Sequence, residues 1–193
     1  MSERMSDDAV KDALRESGAI MSGHFQLTSG RHSDTYVQCA RVLEDPALTT
    51  ELAHEMVARF DGEVDIVAAP AVGGIVIGFA VAQALGVNFI FSERKDGEML
   101  FRRSFEVPLA ARVLVVEDVV TTGGSVREVV DLVQEAGAEV VAVTSLIDRG
   151  GPKAFDTRFE PLIRLDVESW EPDSCHLCAS GEPLTSPGSR RLS

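Results

Sequence analysis

The sequence is short of cysteine, lysine and aromatic rings, and each shortage narrows what the chain can be. Three cysteines in 193 residues, Cys39, Cys175 and Cys178, are too few for a disulfide framework, so burial must hold the fold together. Basic side chains number 18 against 31 acidic ones, a formal net charge of -13. Such a field repels phosphate backbones and argues against a nucleic-acid partner. Only Lys11, Lys95 and Lys153 among the cations are lysines, so a cation in a pocket is a local choice made against an acidic background. The stretch MSERMSDDAVKDALRES has no apolar signal core, which points to the cytoplasm.

What the chain does have is apolar mass: 45% of its residues are hydrophobic and 25% charged, enough for the core of one domain. The expected layout is a single domain over 1–193. It has a small hood over about 1–45, a core over about 46–165 and an irregular, loosely packed tail over about 171–193. Residues 66–91 carry no formal charge and are numerous enough to span a bilayer. Pro70, Gly73, Gly74, Gln83 and Asn88 nevertheless split the run into strand, turn, helix and strand. Strands buried on both faces of a parallel sheet need no polar alternation, so no membrane partner is expected.

Periodicity and punctuation predict a helix over 7–15, two short strands over 25–29 and 33–39 around a turn at Gly30, and a helix opened by Pro46. Strands then alternate with helices: strand 65–69, helix 74–85, strand 88–92, a polar hairpin-like stretch, strand 112–116, helix 124–136, strand 139–147. This is an α/β chain with a parallel sheet flanked by helices. Ligands of such sheets sit beyond the carboxyl ends of the strands, so the loops at 69–74, 92–95, 117–125 and 148–151 should share one rim.

One of those loops carries chemistry in its own residues. VLVVEDVVTTGGS, residues 113–125, is an apolar strand, two adjacent carboxylates and a hydroxyl- and glycine-rich turn leading into a helix. Thr121, Thr122 and Ser125, with the backbone N–H groups around Gly123 and Gly124, can wrap a phosphate at a helix N-terminus. Glu117 and Asp118 can accept hydrogen bonds from sugar hydroxyls nearby. The segment suits a ribose 5-phosphate, although a plain glycine turn beside solvated carboxylates would read the same way.

Its thirteen consecutive positions resemble the phosphoribosyl pyrophosphate signature of the type I phosphoribosyltransferases. The resemblance implies that family's Rossmann-like fold and a Mg²⁺ cofactor chelated chiefly by diphosphate and ribose oxygens. It also implies contacts to phosphoribosyl pyrophosphate from Glu117, Asp118, Val119, Val120, Thr121, Thr122, Gly123, Gly124 and Ser125. APAVGGI, residues 69–75, is similar to the family's pyrophosphate loop, which brings in Val72 and Gly73. Arg94 and Lys95 stand where the family has an Arg-Lys pair, so they and Asp118 are the candidate catalytic groups; guanidinium binds phosphate oxygens as a fork and ammonium as a point charge.

The segment FQLTSGRHSDTY, residues 25–36, resembles the hood of the orotate branch, with Thr28 where many members carry a lysine. Tyr36 and Val37 fall at that branch's base-contacting aromatic pair, and only Tyr36 is aromatic. Arg149, in LIDRG, matches an arginine that contacts the pyrimidine carboxylate; Thr121 completes the expected orotate set. The branch's usual mobile loop carries a lysine and a His-Gly, whereas DGEMLFRRSFEV has neither and leaves Arg102 and Arg103 as its cations. The resemblance thus implies orotate and phosphoribosyl pyrophosphate as substrates and a homodimer with a shared active site. The alternatives are a transferase for another nucleobase or a regulator that senses phosphoribosyl pyrophosphate without turnover. Cys175, His176 and Cys178 form one CxxC-type motif with no second pair in the chain, so no directly ligated metal is expected.

Overall fold

A computed structural model describes residues 4–187; residues 188–193, the end of the predicted tail, lie outside the described residues. The core is a six-stranded sheet. In chain order its elements are β3 (Ile66–Pro70), α4 (Gly73–Leu85), β4 (Asn88–Lys95), β5 (Glu98–Phe101), β6 (Arg112–Val120), α5 (Gly124–Glu135), β7 (Glu139–Asp148) and the two-residue β8 (Ile163–Arg164). Spatially the strands run β5-β4-β3-β6-β7-β8. All neighbours pair in parallel except β5, which folds back on β4 as an antiparallel edge.

The uncharged run sorts its side chains by the period of two that a strand imposes. Ile66 and Ala68 of β3, with Val113 and Val115 of β6, face α5 through Val126, Val129 and Val133. Val67, Leu114 and Val116 point the other way, into a second core with Ile77 and Val81 of α4 and with Leu52 and Met56 of α3 (Pro46–Arg59). Helices therefore cover both faces, and the apolar run is two strands of the sheet and the helix between them; no helix among the described residues is long and apolar enough to cross a membrane.

The amino-terminal segment forms α1 (Asp7–Glu16) and a separate two-stranded sheet of β1 (Ile20–Gln26) and β2 (His32–Val37), followed by the short α2 (Ala40–Leu43). The first hairpin strand begins five residues before its predicted start. Gly18, at φ 77°, ends the helix, and Ala19 and Ile20 are buried at once, so the chain enters the hairpin without a loop. Residues 27–31 then make the turn, closed by the Leu27 N–H donating to the Arg31 carbonyl at 2.8 Å.

The tail corrects the expectation of loose packing. It holds a 3₁₀ turn (Pro172–Ser174) and α6 (His176–Ala179), and it bonds to the hairpin along both edges. His32 and Trp170 exchange backbone hydrogen bonds at 2.8 Å each, Gln26 N–H donates to the Thr185 carbonyl at 2.8 Å, and Thr185 N–H donates to His24 at 2.8 Å. Ser33 Oγ donates to the Glu168 carbonyl at 2.7 Å. A composition rich in Ser, Pro and Gly reads as a solvated end, but such residues also leave backbone groups free to pair with a hairpin edge.

Candidate active site

The chain leaves β3 for β4 on one side, while β6 lies on the other side of β3. The crevice beyond the carboxyl ends of β3 and β6 is thus the switch point of the sheet. Two loops meet there. A Cβ on Gly73 would lie 2.7 Å from both carboxylate oxygens of Asp118, and one on Gly74 would lie 3.1 Å from Glu117 Oε1 and from the Val116 carbonyl. The glycine pair is what lets the 70–74 loop touch the acidic pair. Gly73→Ala must therefore push Asp118 aside, and about a tenfold loss of kcat/KM with a little-changed thermal midpoint is expected, since a misplacement near 1 Å is costly at a reacting centre. Unaltered kinetics would mean that this contact does not position the carboxylate.

Glu117 and Asp118 lie inside β6 rather than after it, because the strand continues to Val120. Glu117 is partly buried. Burial first, then the charge of Asp118, push its pKa up to about 9 from an ordinary value near 4.5, so its carboxyl is protonated at neutral pH. Between those two pH values the folded chain holds a proton that the unfolded chain has lost, so stability falls as pH rises through this window. Glu117→Gln removes the dependence. The variant's thermal midpoint relative to the parent protein should climb between pH 5 and pH 9; a constant offset would show that Glu117 titrates normally. Beneath the pair lies Cys39, whose thiol is pushed well above its usual range by burial and by both carboxylates, which makes it a poor nucleophile.

Beyond Val120 the chain forms an open cup of about 180 Å³ lined by residues 119–126 and Glu117. Gly123 adopts a left-handed conformation, φ 78°, where a Cβ would strike Phe155 at 2.5 Å. Thr121, Thr122 and Ser125 are exposed around it. Among the four helices of ten residues or more, the caps distinguish this rim. The Ser6 hydroxyl caps α1 and the Asp45 carboxylate caps α3, whereas α4 and α5, the two helices that start at the crevice, have no side-chain cap. Their first-turn N–H groups are left for a ligand, and the dipole there favours an anion.

Lys153, which the sequence reading passed over, joins the two loops at this end. Its Nζ donates to the carbonyls of Thr121 at 3.0 Å, Gly150 at 2.8 Å and Gly151 at 3.0 Å. It also pairs with the buried carboxylate of Asp148 at 2.7 Å. Next to this staple lies Arg149, half-buried, with its Nε lacking a hydrogen-bond partner among the described residues. Burial lowers its pKa and the nearby Tyr36 phenol acts in the opposite sense.

A phosphoribosyl transferase domain model matches residues 40–159. The orotate phosphoribosyltransferase of Chlorobium phaeobacteroides strain BS1 is 50% identical over 191 residues, which cover 97% of this chain and 98% of that protein. That of Desulforamulus reducens is 47% identical over 190 residues, 97% of this chain and all of that protein. The chain belongs to the orotate phosphoribosyltransferase family. Among solved structures, the Mycobacterium tuberculosis orotate phosphoribosyltransferase in complex with inorganic phosphate is 27% identical with a TM-score of 0.61, covering 83% of this chain and 97% of that one. The Aeropyrum pernix orotate phosphoribosyltransferase, at 24% identity, shares the fold with a TM-score of 0.70 over 81% of this chain and 93% of that one.

The cations of this transferase are disposed unevenly. Arg94 is engaged: it donates to the Gly97 carbonyl at 2.7 Å and forms a two-pronged pair with Glu128 of α5. Arg102 and Arg103 both grip Glu93, at 2.9 and 3.1 Å. Arg94, a candidate for the diphosphate, and Arg102 and Arg103, the cations of the following segment, are thus each paired with a carboxylate of the same chain. Lys95 is exposed at the end of β4 and makes no ion pair among the described residues. The polar stretch after it does form the predicted hairpin, turning at Asp96 and Gly97 with positive φ.

Proposed function

We propose that this transferase catalyses the transfer of a ribose 5-phosphate group from phosphoribosyl pyrophosphate to orotate. The C1–O bond to diphosphate breaks, the C1–N bond to the pyrimidine forms, and orotidine 5′-monophosphate and diphosphate leave. The 5-phosphate sits in the cup of Thr121, Thr122, Gly123, Gly124 and Ser125, and the ribose hydroxyls bond to Glu117 and Asp118. The diphosphate lies against Val72, Gly73 and the uncapped start of α4, with Lys95 as its cation. Arg149, Tyr36 and Thr121 hold orotate. The observation that carries the choice of an acidic base is Arg149, a half-buried guanidinium with an unpaired Nε beside Tyr36, which a planar carboxylate would satisfy.

Orotate brings a nitrogen already poised as an anion, so catalysis is positional and electrostatic rather than dependent on a strong base. Two oxygen ligands side by side, one of them kept protonated by burial and by its neighbour's charge, suit a hard divalent cation. Mg²⁺ held by substrate oxygens next to Glu117 and Asp118 would neutralise charge on the departing diphosphate. The substrates are small, intracellular metabolites, consistent with work in the cytoplasm.

An apolar stripe supports a homodimer. Val72 is 81% exposed and Phe79 59%, and with Val76 they follow one face of α4 at helical spacing, starting from the diphosphate loop. The deciding assay is loss of orotate absorbance with and without phosphoribosyl pyrophosphate and Mg²⁺. Turnover should need both, and hypoxanthine, adenine and uracil should be inert. Comparable turnover of any of those three bases would refute the assignment.

A further inference from the structure

The tail motif that the sequence reading set aside finds its partners in the hood. His24 of β1, His32 of β2, Cys175 and Cys178 converge so that one ligand atom from each lies within 4.8 Å of all the others. His24 Nε2 is 3.0 Å from His32 Nδ1, 3.5 Å from Cys175 Sγ and 3.7 Å from Cys178 Sγ; Cys178 Sγ is 3.2 Å from His32 Nδ1. Both histidines and Cys175 are buried. A break in the β1–β2 register between Ser22 and Phe25 brackets His24, the kind of bulge that re-aims a side chain.

Hydrogen bonding alone accounts poorly for this cluster. His24 Nδ1 lies 2.8 Å from the Glu182 carbonyl, which can only accept, so Nδ1 carries the proton and Nε2 of the neutral ring is a bare lone pair. Three further groups crowd that one lone pair, where a single donor would fill it. A cation at the centre resolves the arrangement, because four electron-pair donors then share one acceptor. Zn–N bonds of about 2.0 Å and Zn–S bonds of about 2.3 Å at tetrahedral angles put ligand atoms roughly 3.3–3.8 Å apart, and the separations of 3.0, 3.2, 3.5 and 3.7 Å overlap that range. The carbonyl of Glu182 fixes the His24 tautomer and ring, as outer partners of metal-bound imidazoles do.

We propose that this chain binds one structural Zn²⁺ through His24, His32, Cys175 and Cys178. Two thiolates and two imidazoles suit zinc rather than the hard, oxygen-seeking Mg²⁺ of the transfer reaction. Four protein ligands leave no open position, so the ion does no chemistry on substrate. It ties the tail to the hood hairpin across about 150 residues of sequence, and the same hairpin carries Tyr36. His176, inside the CxxC, is no ligand: its ring packs edge-on against Trp170 with centroids 4.4 Å apart.

The test is elemental analysis of the full chain purified without added metal or chelator. One zinc per chain is expected, and it should be absent from Cys175→Ser/Cys178→Ser but retained by His176→Ala. Replacement by Co²⁺ in the parent protein should give the visible bands of tetrahedral cobalt with a thiolate charge-transfer band, a readout that does not require any variant to fold. Stripping the metal should lower the thermal midpoint by several degrees and zinc should restore it. Zinc well below one per chain after growth in zinc-supplied medium would overturn the proposal, as would octahedral cobalt spectra. So would an intact mass lower by two hydrogens, which would mark a Cys175–Cys178 disulfide instead.

Discussion

Asp118→Asn is expected to lower kcat/KM about 10- to 100-fold without unfolding the protein. The estimate follows from a charged hydrogen bond to a sugar hydroxyl being worth about 1.5–3 kcal/mol, with each 1.36 kcal/mol a factor of ten in rate. Asn keeps the size and one acceptor, so Gly73 still packs against the side chain. Asp118 Oδ1 also accepts the Val119 N–H at 2.8 Å, a bond that the Asn carbonyl reproduces. In the proposed binding mode, what Asn lacks is the negative charge near the ribose carbon that becomes cationic. The loss should therefore appear in kcat more than in KM. A variant with unchanged kcat/KM would reduce Asp118 to solvated strand-end surface and leave the cup alone to bind phosphoribosyl pyrophosphate.

Much of the frame was legible because burial on both faces leaves a plain trace: an uncharged run punctuated by glycine and proline has few other soluble folds. The phosphate cup was legible for a similar reason, since its hydroxyls and glycines are consecutive in sequence. Contacts that close across long separations were not. That Gly73 touches Asp118 depends on β3 lying beside β6, and pattern alone does not set strand order. Lys153 stood out in the sequence only as one of three lysines, yet its ammonium fastens two loops that lie about 30 residues apart. Arg94, read as a candidate phosphate ligand, also faces a carboxylate on α5 that follows it by 34 positions.

The tail shows the same limit more sharply. One CxxC is weak by itself, and the two histidines that complete the cluster sit more than 140 residues upstream. A signal was available in the hairpin: His24 and His32 flank the predicted Gly30 turn, and a hairpin that pairs Gln26 with His32 brings them onto neighbouring strands. Reading buried histidines beside the cysteine pair, rather than counting cysteines alone, would have raised the possibility from sequence.

Lys95→Ala should cost about 10²–10³ in kcat, the scale of losing one preorganised partner of a charge that develops in the transition state, and mixing should then return part of the loss. Lys95 projects from the end of β4 with no ion-pair partner among the described residues, while Arg94, Arg102 and Arg103 are spoken for within the chain. A two-fold dimer built on the exposed Val72, Val76 and Phe79 stripe would bring the 70–74 loop, where the stripe starts, to the subunit boundary. If Lys95 acts in trans, a hybrid of Lys95→Ala and Asp118→Asn subunits has one site with both lesions and one with neither. Random exchange makes half the dimers hybrids, so an equimolar mixture should recover about a quarter of the parent activity. Phe79→Asp should abolish that recovery by separating the subunits, as sedimentation would show. Confirmed subunit exchange with no return of activity would mean that each chain uses its own Lys95, and the shared site would fall.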